Sequence, residues 1–461
     1  MDLSELQQQK TGSVCHVLAV PYPGRGHVNP MMNLCKLLAA TKTDHDFLIS
    51  FLVTEEWLGF IEGDPKPDQI RFRTIPNVLP SELVRGNDHP GFYEAVMIKM
   101  ESPFEQLLDH IQPPVSLLMA DAELLWAIPA ANRRSIPVAS LWTMSASVFS
   151  MFRYFDLIQA RCSQDYGEDY VNFIPGTSPI CVRDLPTIFQ GTDQRVLELV
   201  LKCVSQVEKA QSLLINTVYD LESPVIDALK AKFPIPVHSI GPAIPYYETK
   251  ENVLTTQTEA VNYLRWLDSQ PAGSVLYISL GSFLSVSDTQ MEEIVAGVKN
   301  SGVRYLRVAR GDGLRLRHTG CDTGLVVPWC DQLRVLCHNS IGGFWTHCGW
   351  NSTLEGVFAG VPMLTFPIFL DQVHNGKQIV EDWKVGWRVV RQVKEMGRVV
   401  TREEISDVVR KFLDPENREA KEIRRRAREV KSMCRRVIEK GGSSEVSLGA
   451  FIKDITQCSG H

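Results

Sequence analysis

Val14-Cys-His-Val-Leu-Ala-Val20, then Pro21-Tyr-Pro-Gly-Arg-Gly26 and His27, is the stretch from which the fold is read. The first run is short, apolar and β-rich, and it stops at Pro21, as a strand buried in a parallel sheet does. A glycine-containing turn follows, and then a helical pattern through Met31, Leu34, Leu37 and Leu38. A second buried run, Phe47-Leu-Ile-Ser-Phe-Leu-Val53, comes next. Further runs stand at Ser116-Leu-Leu-Met119, Pro137-Val-Ala-Ser-Leu141 and Ser212-Leu-Leu-Ile215, with helical stretches between them. Strands alternating with helices at this spacing indicate an α/β domain built on a parallel sheet.

The pattern then restarts. Ser274-Val-Leu-Tyr-Ile-Ser-Leu-Gly281 is a second strand that runs into a glycine. Further strands are expected over residues 305–308, 324–327, 341–345 and 362–366. Between the halves lies a polar stretch with little apolar content, which reads as a linker. The expected organisation is an N-terminal domain over 1–245, a linker over 246–259 and a C-terminal domain over 260–440. Two α/β domains facing across a cleft offer a common place for a ligand.

Composition agrees with this picture. The 461 residues are 44% hydrophobic and 22% charged, enough to build sizeable cores, which excludes global disorder. The net charge of −6 lacks the basic footprint that nucleic-acid binding needs. Arg424, Arg425, Arg426 and Arg428 share a helical pattern with Ala420, Ile423, Ala427 and Val430, so they read as a solvated face. The eleven cysteines are scattered and odd in number, unlike a secreted disulfide framework. The first residues show no basic-then-apolar signal pattern. No apolar run approaches the roughly 18 residues of a membrane span. The expected compartment is the cytoplasm.

Four constellations carry chemistry. Gly24-Arg-Gly-His-Val-Asn29 begins like a dinucleotide fingerprint but has Asn29 where the third glycine belongs, which weakens a nicotinamide reading. His27 stands where a strand hands over to a helix, and an imidazole there suits a general base. Asp121 closes another strand of the same domain. It reads either as the carboxylate that orients His27 or as an N-cap of a helix starting near Ala122. The third is Ile341-Gly-Gly-Phe-Trp-Thr-His-Cys-Gly-Trp-Asn-Ser-Thr-Leu-Glu-Gly356, a strand, polar loop and helix start. Such a start favours phosphate, with His347, Asn351 and Ser352 as further donors. Ser352-Thr-Leu-Glu355 also reads as a capping box. Cys337-His338 and His347-Cys348 fit no familiar zinc spacing, so no metal is expected. Asp371-Gln372 pairs an acid with an amide, which suits neighbouring sugar hydroxyls.

Trp329-Cys-Asp-Gln332, His347 to Glu355 and Asp371-Gln372 together resemble the signature of plant secondary-product UDP-glycosyltransferases, in register from residue 329 to residue 372. Gly26-His27, Asp121, Trp142-Thr143, Ile240-Gly-Pro242, Trp266-Leu-Asp268, Gly281-Ser282 and Gly441-Gly-Ser-Ser444 extend the similarity over nearly the whole chain. Asp331 and Arg307 depart from the family's usual proline and tryptophan.

The resemblance implies a GT-B fold of two Rossmann-like domains, with the donor mainly in the C-terminal half and residues 441–461 forming a helix that crosses back to the N-terminal domain. It implies that Trp329 stacks on uracil and that Gln332 and Glu355 meet the ribose. His347, Asn351, Ser352 and Ser282 would hold the diphosphate, and Trp350, Asp371, Gln372 and Thr143 would surround the hexose. His27 would be the base and Asp121 its partner in an inverting transfer of a hexose from a UDP-sugar to a small hydrophobic acceptor. Gln372 points to UDP-glucose, with a β-glycoside as product. Neither a cofactor nor a metal is implied, and the chain is expected to act as a monomer. Its acceptor pocket is expected around residues 89–93 and 144–149. A nucleotide-sugar-binding regulator without catalysis is the alternative, weighed down by the presence of both His27 and Asp121.

Overall fold

In the computed structural model the first strand, β1 (Val14–Val20), is buried on both faces after its opening residue. Val17 and Ala19 join one apolar cluster, while Leu18 and Val20 join another, as alternation along a strand requires. The structure describes residues 14–41, 46–162, 170–191, 193–246, 258–281, 286–309, 323–389 and 398–458.

The remaining strands of the N-terminal half are β2 (Asp46–Thr54), β3 (Ile70–Ile75), β4 (Leu117–Asp121), β5 (Val138–Trp142), β6 (Tyr170–Val171), β7 (Ile180–Cys181), β8 (Ser212–Ile215) and β9 (Val237–Ser239). Six of them join β1 in a seven-stranded sheet of order β3-β2-β1-β4-β5-β8-β9, and β6 pairs with β7 alone. The second half supplies β10 (Val275–Ser279), β11 (Arg304–Val308), β12 (Gly324–Val327), β13 (Ile341–Thr346), β14 (Met363–Thr365) and β15 (Gly386–Arg388). They form a six-stranded sheet in the order β12-β11-β10-β13-β14-β15. Every pairing within the two large sheets is parallel. The α/β reading therefore holds, with two Rossmann-like sheets.

Both strand orders reverse direction beside their first strand, between β1 and β4 and between β10 and β13. Ligands of open α/β sheets bind at such switch points, beyond the carboxyl ends of the strands. That geometry selects the turns after β1 and β10 and the ends of β4 and β13 as the places to look.

The two halves are tied together at several places. Glu222, buried, accepts hydrogen bonds from the amides of Ala146 (2.9 Å) and Ser147 (3.0 Å) and from the hydroxyls of Ser147 (2.6 Å) and Thr217 (2.6 Å). Its fifth donor is Gln378 Nε2 of the C-terminal half, at 3.0 Å. The last helix, Ser443–Cys458, buries Phe451, Ile452 and Ile455 in the cluster around β1 and β2. Ser444 Oγ donates to the Gly241 carbonyl, and Ser443 Oγ donates to Asp220 Oδ2 at 2.7 Å. No described helix is long and apolar enough to cross a membrane.

Candidate active site

His27 is the third residue of the helix Arg25–Ala40, whose N-cap is the extended Gly24. Its Nδ1 lies 2.9 Å from Asp121 Oδ2 at the end of β4 and 3.1 Å from Thr143 Oγ1 just beyond β5. The other Asp121 oxygen accepts the Glu123 amide at 3.0 Å. The nearest helix begins only at Ala127, so Asp121 does not cap a helix at Ala122. Its carboxylate is spent on His27 and on its own turn. With an acceptor facing Nδ1, that nitrogen carries the proton and Nε2 keeps the lone pair. Burial pulls the His27 pKa down, but the Asp121 charge and hydrogen bond outweigh it and hold the pKa above the usual 6.5. The side chain keeps 19% of its surface exposed, so the pair is sheltered yet open on one side.

On the facing sheet His347 follows β13. Gly281, with φ +90°, follows β10, and a Cβ there would stand 2.9 Å from the imidazole. A Cβ at Gly349 would come closer still, 2.5 Å from His347 Nε2. Two glycines therefore make room for this ring. Burial pushes the His347 pKa down to about 4, against the pull of the Ser279 carbonyl, so it is a neutral imidazole at neutral pH. The helix Trp350–Ala359 begins beside it without a side-chain cap. The capping box read at Ser352 and Glu355 is thus not formed. Gly349 supplies the extended cap residue, which moves the frame and leaves Ser352 as the third helical residue. Its hydroxyl instead accepts from Gln332 Nε2 at 2.9 Å, while Glu355 Oε2 accepts from the same nitrogen at 2.6 Å. Tyr277 donates to Gln332 Oε1 at 3.1 Å. Burial raises the Glu355 pKa to about 7, against the Gln332 hydrogen bond. Trp329 keeps 53% of its surface exposed, a high value for a ring able to stack on a base.

Asp371 and Gln372 open the helix Gln372–Lys377. Asp371 is buried and accepts from Asn375 Nδ2 at 2.8 Å. Burial raises its pKa to about 6, opposed by Asn375 and by the charge of His27, so it sits within electrostatic reach of the opposite domain. Gln372 Oε1 accepts the amides of Ile368 (2.9 Å) and Phe369 (3.0 Å), which orients its Nε2 donors away from those amides. Trp350 is buried, and its indole N–H is committed to the Asn216 carbonyl at 2.6 Å. What Trp350 offers a sugar is its backbone amide at the helix start. Asn351 Nδ2 donates to the Gly26 carbonyl at 3.0 Å, linking the phosphate-favouring helix start to the residue before His27. Ser282 lies outside the described residues, as does most of the expected linker.

The sequence reading missed Asn216, which ends the apolar run of β8 as Asp121 ends that of β4. It also missed Glu123 and Tyr22, which lie behind His27. Residues 89–93 begin a helix, His89–Lys99, rather than a loop. Tyr93 from that helix packs on Tyr22, whose ring centroid lies 4.9 Å from that of His27. His338 is spent on Ser340 Oγ (2.8 Å) and Asp268 (3.1 Å). Among the described residues no group of three or more His, Cys, Asp or Glu side chains is placed to hold a metal ion.

Residues 189–417 match the family described as UDP-glucoronosyl and UDP-glucosyl transferase. UDP-glycosyltransferase 87A2 of Arabidopsis thaliana is 51% identical over 446 residues, covering 96% of this chain and 97% of the relative. Medicago truncatula UGT71G1, solved with UDP-glucose, superposes with a TM-score of 0.78 at 27% identity, over 96% of this chain and 98% of that one. Phytolacca americana UGT2, solved with UDP-2-fluoro-glucose and pterostilbene, gives 0.78 at 26% identity, over 96% of this chain and 100% of that one. Sheet order, site and relatives agree: this chain belongs to the plant UDP-glycosyltransferases and is a UDP-sugar glycosyltransferase of the GT-B fold.

Proposed function

We propose that the chain transfers glucose from UDP-glucose, with inversion, to a hydroxyl of a small hydrophobic acceptor, giving a β-O-glycoside. The observation that carries this reading is the His27–Asp121–Thr143 arrangement at one switch point, facing the His347 helix start across the cleft. His27 Nε2 takes the acceptor proton as the acceptor oxygen attacks the anomeric carbon. Asp121 stabilises the imidazolium that forms. UDP leaves from the opposite face, and its growing negative charge meets the amides and dipole of the helix Trp350–Ala359 and the neutral His347. Asp371 and Gln372 supply an acceptor and a donor for neighbouring glucose hydroxyls, and Trp329 supplies a face for uracil. Glucose is favoured by Gln372 and by the UDP-glucose bound in the Medicago relative. The pterostilbene bound in the Phytolacca relative supports a small, largely apolar acceptor.

No metal has a role in this scheme. Transfer therefore persists in excess EDTA, and strict dependence on an added divalent ion would refute the account. His27→Ala abolishes product formation while UDP still quenches the Trp329 fluorescence. Full activity of that variant would remove His27 as the base.

A further inference from the structure

Behind His27 the protein buries more polar chemistry than the transfer step uses. Glu123, only 6% exposed, carries a carboxyl whose one side-chain hydrogen-bond partner among the described residues is the Tyr93 hydroxyl, donating to Oε2 at 3.2 Å. It follows Asp121 by two residues, but only its backbone amide holds that aspartate. Tyr22 stands between His27 and Tyr93, with ring centroids at 4.9 and 5.4 Å. Its hydroxyl is buried and has no hydrogen-bond partner among the described residues. The charged groups acting on that hydroxyl are Arg85, Glu123, Glu82 and Asp121, so it lies amid the same carboxylates. The surrounding walls are aromatic: His89 meets Tyr93 at 6.1 Å and Phe369 of the opposite domain at 5.5 Å.

An orphan buried hydroxyl and a sparsely satisfied carboxyl each cost stability. Placed beside the proposed base and among aromatic rings, they are polar groups of the kind by which small-molecule sites fix orientation. We propose that the Glu123 carboxyl and the Tyr22 hydroxyl form a subsite for a second hydroxyl on the acceptor, so that the natural acceptor is a diol or polyphenol rather than a mono-alcohol. This rests on the His27 glucosyl-transfer reading. The carboxyl accepts from the second hydroxyl, the Tyr22 hydroxyl donates to it, and the acceptor's reacting oxygen is thereby aimed at His27 Nε2. Burial raises the Glu123 pKa, opposed first by the His27 charge, so the group is able to donate or accept according to what binds.

The test uses rigid probes, 2-naphthol and the 2,3-, 2,6- and 2,7-dihydroxynaphthalenes, with UDP-glucose and the full chain. At least one diol should exceed 2-naphthol in kcat/KM by about ten-fold, as for a site that hydrogen-bonds a substrate hydroxyl. Glu123→Leu should collapse that ratio towards one, Tyr22→Phe should reduce it in part, and Glu123→Gln, which keeps a donor and an acceptor, should retain most of it. Because the ratio compares two acceptors on one variant, a general loss of folding or of Asp121 alignment does not move it. A ratio near one in the unaltered enzyme, a ratio unmoved by Glu123→Leu, or a Gln variant as depleted as the Leu variant overturns the subsite alone. No product from any probe in the unaltered enzyme overturns the glucosyl-transfer reading and the subsite with it.

Discussion

At the scale of the residue, the opposed shifts of two histidines divide the labour. Asp121 holds the His27 pKa above 6.5, while burial holds His347 at about 4. A base must be neutral to accept a proton, so kcat/KM should fall as pH drops through the raised His27 value. In Asp121→Asn the raising charge is gone and burial, which lowers the pKa, dominates. The acid limb of the pH profile should therefore move to lower pH, while kcat falls by about two orders of magnitude or more. An acid limb that stays in place would show that another group titrates. The roles of single residues were only partly legible. His27 and Asp121 drew the reading because one stands in the passage from β1 to its helix and the other closes the apolar run of β4. Asn216 carries the same signal and was passed over, because a lone amide suggests no reaction. Glu123 was hidden because its meaning depends on Tyr22 and Tyr93, which the fold alone brings together.

At the scale of the element, the proposed donor side is a helix start whose polar groups are tied up in advance. Gln332 is held by Tyr277 and gives both its amide hydrogens, to Ser352 and Glu355. Glu355 remains a half-buried carboxyl whose pKa is raised to about 7. The unfolded chain binds this proton only below about 4.5, so the folded state loses stability as pH rises from there to 7. Glu355→Gln should remove that loss. Its melting temperature, relative to the unaltered chain, should be higher by a few degrees at pH 8, where the effect is of order 3 kcal/mol, and the gain should shrink at pH 5. The same variant should weaken UDP binding by about ten-fold, the usual exchange of function for stability. An equal shift at both pH values would refute the assignment. The apolar runs of β1, β2, β4 and β13 were legible because burial on both faces writes them as continuous apolar sequence. The short β9 and β15 were not, since three residues carry no period and are fixed by the neighbours they pair with. The supposed capping box failed for a related reason: a glycine one residue before Trp350 caps the helix through its conformation, which leaves no side-chain mark.

At the scale of the whole molecule, the halves share both the catalytic cleft and several buried ties. Phe451 is fully buried against the first sheet although it belongs to the last helix. Phe451→Ala should cost about 3–5 kcal/mol and lower the melting temperature, with the loss read first in the N-terminal half by hydrogen exchange. Glu222→Leu would strand five donors, four from the first half and one from the second. It should lower stability and raise the KM for both substrates, because the cleft is shaped by the seating of one half on the other. A KM change confined to one substrate would argue against that role.

The chain passes between the halves twice, near Gly241 on the outward path and near Ser444 on the return, and Ser444 Oγ bonds the Gly241 carbonyl. Mechanically, this is a two-ply strap rather than a single thread. One thread leaves a suspended body free to spin about it, whereas two threads laid side by side resist torsion and leave bending as the easy motion. Bending about such a mounting keeps the turn that carries His27 and the start of the helix Trp350–Ala359 on the same mutual bearing.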